Sequence, residues 1–260
     1  MSKFFTVELK PDIVNGDVSN VIDADTSDKD IDSGDLIFDW TEVKVPKGGC
    51  MLRSVHAIVN AEDGTFGAGS QTNYELIFAK SVNGEAPTSM GTVNAAQTGG
   101  FDLKGHHVGS CVLISTATIG TLTRSAFHVV YTGEGDGVGT SAGLPMILDL
   151  EGGDGGFNSL YVCAFQTSGR NYNTGVIVNG AITSDTEDTI TVDGVDAVKI
   201  FSVGDEVYLH DVDTALGTVK SVTTNSIVLN APIAGGTNLA DDDELVNANP
   251  IKITLGFEGE

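Results

Sequence analysis

The chain has 260 residues, 33 of them glycine, and its 36 acidic and 13 basic residues give a formal net charge of −23. A hydrophobic content of 40% with 19% charged residues is a globular composition, sufficient for one large domain or two smaller ones. The acidity argues against nucleic acid as a partner, because phosphate neutralisation needs clustered Lys and Arg. No run of about 18 apolar residues is present, so no membrane span is predicted.

Apolar and polar residues alternate along most of the chain, which is the period of a half-buried β-strand. Segment 3–9 is predicted to be a first strand or an N-terminal arm. The acidic stretch 11–35 has no helical period and is predicted to be an exposed loop. Further strands are predicted at 36–45, 52–60, 74–82, 108–116, 121–131, 144–150, 159–166 and 175–179.

These strands, separated by glycine-rich connections, predict an all-β domain over residues 1–180. The predicted architecture is an antiparallel β-sandwich with a jelly-roll-like arrangement. A parallel sheet is disfavoured, because its crossovers need a dozen or more residues and usually helices. Trp40, the only tryptophan, is predicted to be a core anchor of this domain.

The pattern of the sequence changes near residue 181, where short strand-like runs separated by turn residues begin, as in compact hairpins. They predict a small SH3-like β-barrel over 181–260. Asp193 and Gly194 predict a tight hairpin turn of the primed type between TITV and VDAVKI, and Thr224 and Asn225 predict the next turn. The last run, IKITLGF, either closes this barrel or returns to the sandwich, and both alternatives stay open at this stage.

The three cysteines, Cys50, Cys111 and Cys163, lie far apart in the sequence. Their odd number and the absence of a CxxC pair argue against a disulfide framework or a zinc site. Cys111 and Cys163 lie in apolar, strand-like contexts, so buried and inert thiols are predicted. The N-terminus has no apolar stretch of the length of a secretion signal, and the chain is expected to be made in a reducing cytoplasm.

One motif, GTSAG at 139–143, has the GxSxG pattern of a nucleophilic serine. Catalysis would need Ser141 on a sharp strand-to-helix turn, but a glycine-rich loop precedes it and a strand follows. The candidate bases His107 and His128 lie upstream, against the order of residues in that fold. Glycosidases need a pair of carboxylates, and the candidates here are Glu134, Asp136, Asp149 and Glu151. In a chain with 36 acidic residues, such pairs arise easily by chance and do not indicate a glycosidase. No catalytic residue and no enzymatic activity are predicted.

Metal sites receive equally weak support. Asp28, Asp30 and Asp32 are spaced as in a calcium-binding loop, but Ser33 stands where that loop needs glycine and Asp39 stands where it needs a bidentate Glu. His106 and His107 are neighbours in the sequence, and neighbouring residues on a strand point to opposite faces. No metal or cofactor site is predicted, and adventitious binding of a divalent cation to the acidic loop is left open.

A resemblance to a known class of proteins lies in three segments. They are FDWTEVKVPKGGCMLRSVHAIVN; SAFHVVYTGEG followed by LPMILDLEGG; and SVGDEVYLHD, LGTVKSVTTNSIVLN and DDELVNANPIKI near the C-terminus. In texture the chain resembles virion structural proteins of tailed phages, particularly marine and cyanobacterial phages, and among these it is most similar to capsid decoration, or cement, proteins. The resemblance implies a protein on the outside of the shell, spanning neighbouring capsomers and often trimeric.

The expected function is therefore that of a non-enzymatic virion protein that stabilises the capsid from outside. Its expected partners are the major capsid protein and further copies of the chain, with no nucleic acid and no membrane. Phe4 and Phe5 are candidates for docking, since an extended segment can add to an exposed sheet edge, although they could instead begin the sandwich core. The alternatives are a tail, baseplate or fibre component, and a carbohydrate-binding module or glycan hydrolase.

Overall fold

A computed structural model describes residues 3–21, 31–60, 64, 73–96, 105–115, 125–130, 144–153, 155–167, 169–183, 186–210, 212–233 and 237–259. Within these residues the chain forms fifteen β-strands, a single turn of α-helix and a 3-10 turn at Val18–Asn20. All strand pairs are antiparallel. The prediction of an all-β fold built from antiparallel sheets is confirmed.

Nine strands form the larger of two sheets. They are β1 (Lys3–Leu9), β2 (Leu36–Pro46), β3 (Cys50–Asn60), β4 (Tyr74–Lys80), β5 (His107–Ser115), β6 (Ser125–Val130), β7 (Met146–Leu148), β8 (Phe157–Gln166) and β15 (Ile251–Gly259). Their order is β1-β15-β3-β6-β5-β4-β8-β2, and β7 pairs with β3 next to β6. The edge strands β1 and β2 approach each other, so the sheet curves around one core, as a sandwich requires.

The core of this sheet follows from the period-two alternation of its strands. In β15 the alternate residues Ile251, Ile253, Leu255 and Phe257 are all buried, whereas the residues between them face outward. Burial of each such side chain contributes about 1.5–3 kcal/mol to folding. The same alternation in β1 and β3 puts one face of each strand on the core and leaves the other face toward solvent.

Six strands form the smaller sheet. They are β9 (Val176–Val178), β10 (Thr189–Gly194), β11 (Glu206–Leu209), β12 (Val212–Thr223), β13 (Ser226–Leu229) and β14 (Leu245–Asn247), in the order β14-β11-β12-β13-β10-β9. An antiparallel bridge between Ile177 and Glu244 joins the two ends of this order, so the sheet closes on itself. Its interior is a second hydrophobic core, separate from that of the larger sheet. The resemblance to an SH3 barrel in detail stays a prediction.

The turn predicted at Asp193 and Gly194 is wrong. These residues end β10, where they pair with Ile177 and Val176 of β9, and the chain continues into the helical turn α1 (Ala197–Ile200). Ala197 and Ile200 are both buried, and a spacing of three residues puts them on one side of a helical turn. The turn predicted at Thr224 and Asn225 is confirmed, because Thr223 pairs with Ser226 on either side of it.

The last strand returns to the larger sheet. β15 lies between β1 and β3, although the domain boundary predicted from the sequence placed its residues in the domain 181–260. Conversely, β9 lies before residue 181 and belongs to the smaller sheet. The two sheets therefore exchange strands across the predicted boundary, and the N-terminal strand is held by the C-terminal one.

Contacts at the junction join the two sheets. Tyr208, Val246 and Ala248 of the smaller-sheet region pack into the core of the larger sheet. Lys10, directly after β1, donates from Nζ to the carboxylate of Asp205 at 2.8 Å and to the carbonyl of Val203 at 3.0 Å. Asp205 is buried, so the ammonium group compensates a carboxylate that is largely removed from water.

Candidate interaction surface

The register of four adjacent strands brings four residues into one line across the larger sheet. Phe4 of β1 lies opposite Glu258 of β15, Glu258 lies opposite Met51 of β3, and Met51 lies opposite Ile147 of β7. Residues directly opposite each other in antiparallel pairs point to the same face of the sheet. These four residues, called the outer row below, therefore share the face turned away from the core.

The two ends of the outer row are apolar and strongly exposed. The exposed fraction is 74% for Phe4 and 76% for Ile147, the two highest values among the large apolar residues that the structure describes. The neighbours of Ile147 along β7 face inward, since Met146 and Leu148 are buried on either side of it. Scattered exposed apolar residues are ordinary, but several aligned on one face indicate a surface for another molecule.

A shallow groove of about 300 Å³ accompanies the outer row. Its lining residues come from the adjoining ends of β3, β7 and β15; they are Gly49, Cys50, Met51, Arg53, Ile147, Leu148, Glu258 and Gly259. Arg53 donates from Nε to Oε2 of Glu258 at 2.6 Å, so the charged groups of the groove neutralise each other. The lining of the groove thus combines apolar side chains with one basic and one acidic group.

The charge of this region differs from that of the whole chain. Strands β1, β3, β7 and β15 together carry three basic and two acidic residues, whereas the chain has 13 basic and 36 acidic residues. A second ion pair joins Lys252 Nζ and Glu8 Oε2 at 2.7 Å on the same face. This part of the protein is thus close to neutral in an otherwise acidic chain.

The two phenylalanines predicted as docking candidates have different environments. Phe4 points outward as the first member of the outer row. Phe5 is half-buried and stacks on the ring of Phe257, with 5.1 Å between centroids and 17° between planes. Segment 3–9 is a hydrogen-bonded strand, so the strand alternative describes it better than a free arm. A docking role for either residue stays a prediction.

Trp40 differs from its predicted role. It is half-buried and packs against a small separate cluster of Leu36, Met90 and Cys163, outside the main core. Its indole Nε1 donates to the carbonyl of Thr88 at 2.8 Å, which fixes the ring at the margin of the sheet. An indole needs a partner for its N–H group, and here a loop carbonyl at the surface supplies one.

The three cysteines are buried free thiols, the state that was predicted for Cys111 and Cys163. Burial raises the pKa of the Cys111 thiol to about 12, with a further contribution from the negative charge of Glu75. Burial likewise raises the pKa of Cys163 and, to a smaller extent, that of Cys50. Only a thiolate is a good nucleophile, so these thiols are poorly suited to covalent chemistry near neutral pH.

The other candidates for chemistry that the structure describes have separate surroundings. Asp149 is 98% exposed and lies 3.7 Å from Lys80 Nζ, while Glu151 accepts a hydrogen bond from the backbone of Asn83. His106 places its Nδ1 2.9 Å from the carbonyl of Lys80. Across the part of the chain that the structure describes, no three metal-ligating side chains gather at one place. Outside the described residues lie Ser141, Glu134, Asp136, Asp28 and Asp30.

Comparison with protein families, with curated proteins and with solved structures finds no match for this chain. No helix among the described residues is long and apolar enough to span a membrane. The sequence reasoning missed Met51 and Ile147, because both lie in ordinary alternating strands. Only the register between strands that are distant in sequence reveals that they line up with Phe4.

Proposed function

We propose that this chain is a non-enzymatic structural protein of a tailed-phage virion, which decorates the outer surface of the capsid and stabilises it across neighbouring capsomers. The observation that carries the proposal is the outer row with its groove: an apolar surface on a hydrogen-bonded sheet suits contact with another protein chain, whether the shell or a further copy of this chain in a shell-bound assembly. The capsid is proposed as the site of action because the sequence resembles those of decoration proteins.

The physical chemistry supports attachment to a repeated surface. A protein bound in many copies can use weak individual contacts, because simultaneous engagement of neighbours raises the overall affinity by orders of magnitude. The proposed partner is the major capsid protein, and the proposed location is the outside of the capsid after synthesis in the bacterial host. A net charge of −23 keeps such a protein away from packaged DNA and favours solubility at high concentration.

Capsids assembled with and without this chain test the proposal. We expect shells that carry the protein to survive higher temperature and lower salt than shells that lack it, as measured by scattering and by release of DNA. Adding the purified chain to bare shells should restore the resistance. Equal resistance of bare and decorated shells would contradict the stabilising role.

Copy number separates the head from the tail. Quantitative mass spectrometry of purified virions should find hundreds of copies per particle if the protein covers the shell. A few copies per particle would instead favour the tail, baseplate or fibre alternative. Labelling of the chain followed by electron microscopy provides an independent check, with label expected on the head.

A further inference from the structure

We propose that the outer row and its groove are covered by a second copy of the same chain, in a contact with two-fold symmetry. The inference goes beyond the capsid proposal and does not depend on it, since self-association is a property of the isolated chain. Phe4 and Ile147, at the two ends of the row, are 74% and 76% exposed to water.

Charge favours a second copy as the occupant, because this region is where two copies repel each other least. Two copies that each carry −23 repel each other over most of their surfaces, and at physiological salt this repulsion acts over a Debye length of about 8 Å. The region of β1, β3, β7 and β15 is where three basic residues meet only two acidic ones. Two copies can therefore approach through this region with less like-charge repulsion than over the rest of the acidic surface.

The arrangement within the row is self-complementary, as a two-fold contact requires. A two-fold axis between β15 and β3, parallel to the strands, packs Phe4 of one copy against Ile147 of the other. The same operation brings Arg53 within reach of Glu258 in the second copy. Each apolar end then meets an apolar end, and Arg53 of each copy lies near Glu258 of the other, at both symmetry-related positions.

Sedimentation of the purified 27.0 kDa chain tests the inference. We expect a concentration-dependent dimer in the wild-type protein. Ile147→Asp and Phe4→Asp should each weaken the dimerisation constant at least ten-fold, because each buries a new charge in the contact. Val203→Asp is the matched control: Val203 is 63% exposed and lies beside the smaller sheet, so this variant should dimerise like the wild type. A wild-type chain that stays monomeric, or a dimer unchanged by both row variants, would overturn the inference.

A mixing experiment tests the charge contact. Arg53→Glu and Glu258→Arg should each dimerise more weakly than the wild type, because like charges then face each other twice. In a one-to-one mixture each copy supplies the charge that the other has lost, so both cross contacts re-form while the ion pair within each copy stays broken. We expect the mixture to dimerise more tightly than either variant alone. A mixture no tighter than the two variants would contradict the two-fold arrangement.

The two proposals fail in different ways. If Ile147→Asp remains dimeric but no longer binds bare capsids, the row serves the shell and the self-association inference is wrong. If the chain dimerises through the row but never binds capsids, the capsid proposal is wrong and the inference stands.

Discussion

Phe4 and Phe5 are adjacent and chemically identical, yet their surroundings predict that truncation to alanine destabilises the fold to very different extents. Phe5 stacks on the buried ring of Phe257, whereas Phe4 is mostly in water. We expect Phe5→Ala to lower the free energy of unfolding by about 2 kcal/mol, which is less than for a fully buried ring. Phe4→Ala should change it by less than about 0.5 kcal/mol. Urea unfolding of the two variants at low protein concentration measures both, and equal costs would contradict the alternation of β1.

The buried thiols predict a dependence of stability on alkaline pH. The pKa of Cys111 rises from 9.0 to about 12 on folding, so the folded state keeps its proton where the unfolded chain has lost it. A raised pKa of this kind stabilises fully below the unfolded value, and stability falls as the pH increases from about 9 toward 12. At pH 10 we expect Cys111 alone to lower the free energy of unfolding by about 1.4 kcal/mol relative to pH 7.

The Cys111→Ala variant isolates this contribution. Its stability at pH 7 should be lower than that of the wild type because it leaves a small cavity, but its decline between pH 8 and pH 10 should be shallower. The remaining decline reports the other buried groups, among them Cys163. Identical slopes for the two proteins would show that Cys111 ionises as easily in the folded state as in the unfolded one.

The strand β10 illustrates how an element can differ from its sequence signal. Asp193-Gly194 is a strong hairpin signal because a primed turn needs positive φ, and Gly194 does have a φ of +72°. The residue uses this conformation at the end of a strand, where a Cβ would lie 2.5 Å from the carbonyl oxygen of Gly175, directly before β9. The close approach of two backbones, rather than a tight turn, explains the glycine.

Two glycine substitutions separate conformational strain from this close approach. Gly180 also has positive φ, +83°, but a Cβ there meets nothing within 4 Å. We expect Gly180→Ala to cost about 1 kcal/mol from backbone strain alone. Gly194→Ala should cost about 3 kcal/mol, because the clash with Gly175 adds to the same strain. Thermal unfolding of both variants measures the difference, and equal costs would mean that β9 and β10 can move apart freely.

Local pattern was predictable from this sequence, whereas the long-range arrangement of the strands was not. Period-two alternation predicted most strands of the larger sheet, because the signal lies within each segment. The position of β15 could not be predicted, since alternating burial serves either sheet equally well. The outer row could not be predicted either, because Phe4 and Glu258 lie at opposite ends of the chain and only their pairing shows that they share a face.

The contacts between the two sheets predict that the chain unfolds as one unit. Side chains of the smaller-sheet region lie in the core of the larger sheet, and β15 follows the smaller sheet but completes the larger one. Loss of either sheet therefore removes core contacts from the other, which favours a single cooperative transition. Fluorescence of Trp40 reports the larger sheet alone, whereas far-ultraviolet circular dichroism reports both sheets.

We expect the two signals to give the same midpoint during thermal unfolding of the wild type. Lys10→Ala should lower both midpoints together, because it leaves the buried carboxylate of Asp205 without its ammonium partner. The lost ion pair joins a residue next to β1 of the larger sheet to one next to β11 of the smaller sheet, so its loss destabilises the contact between the two sheets. Lys44→Ala is the control, since the ion pair of Lys44 with Glu42 lies at the surface and contributes little. A circular dichroism transition that continues after the Trp40 signal is complete would show instead that the smaller sheet is stable by itself.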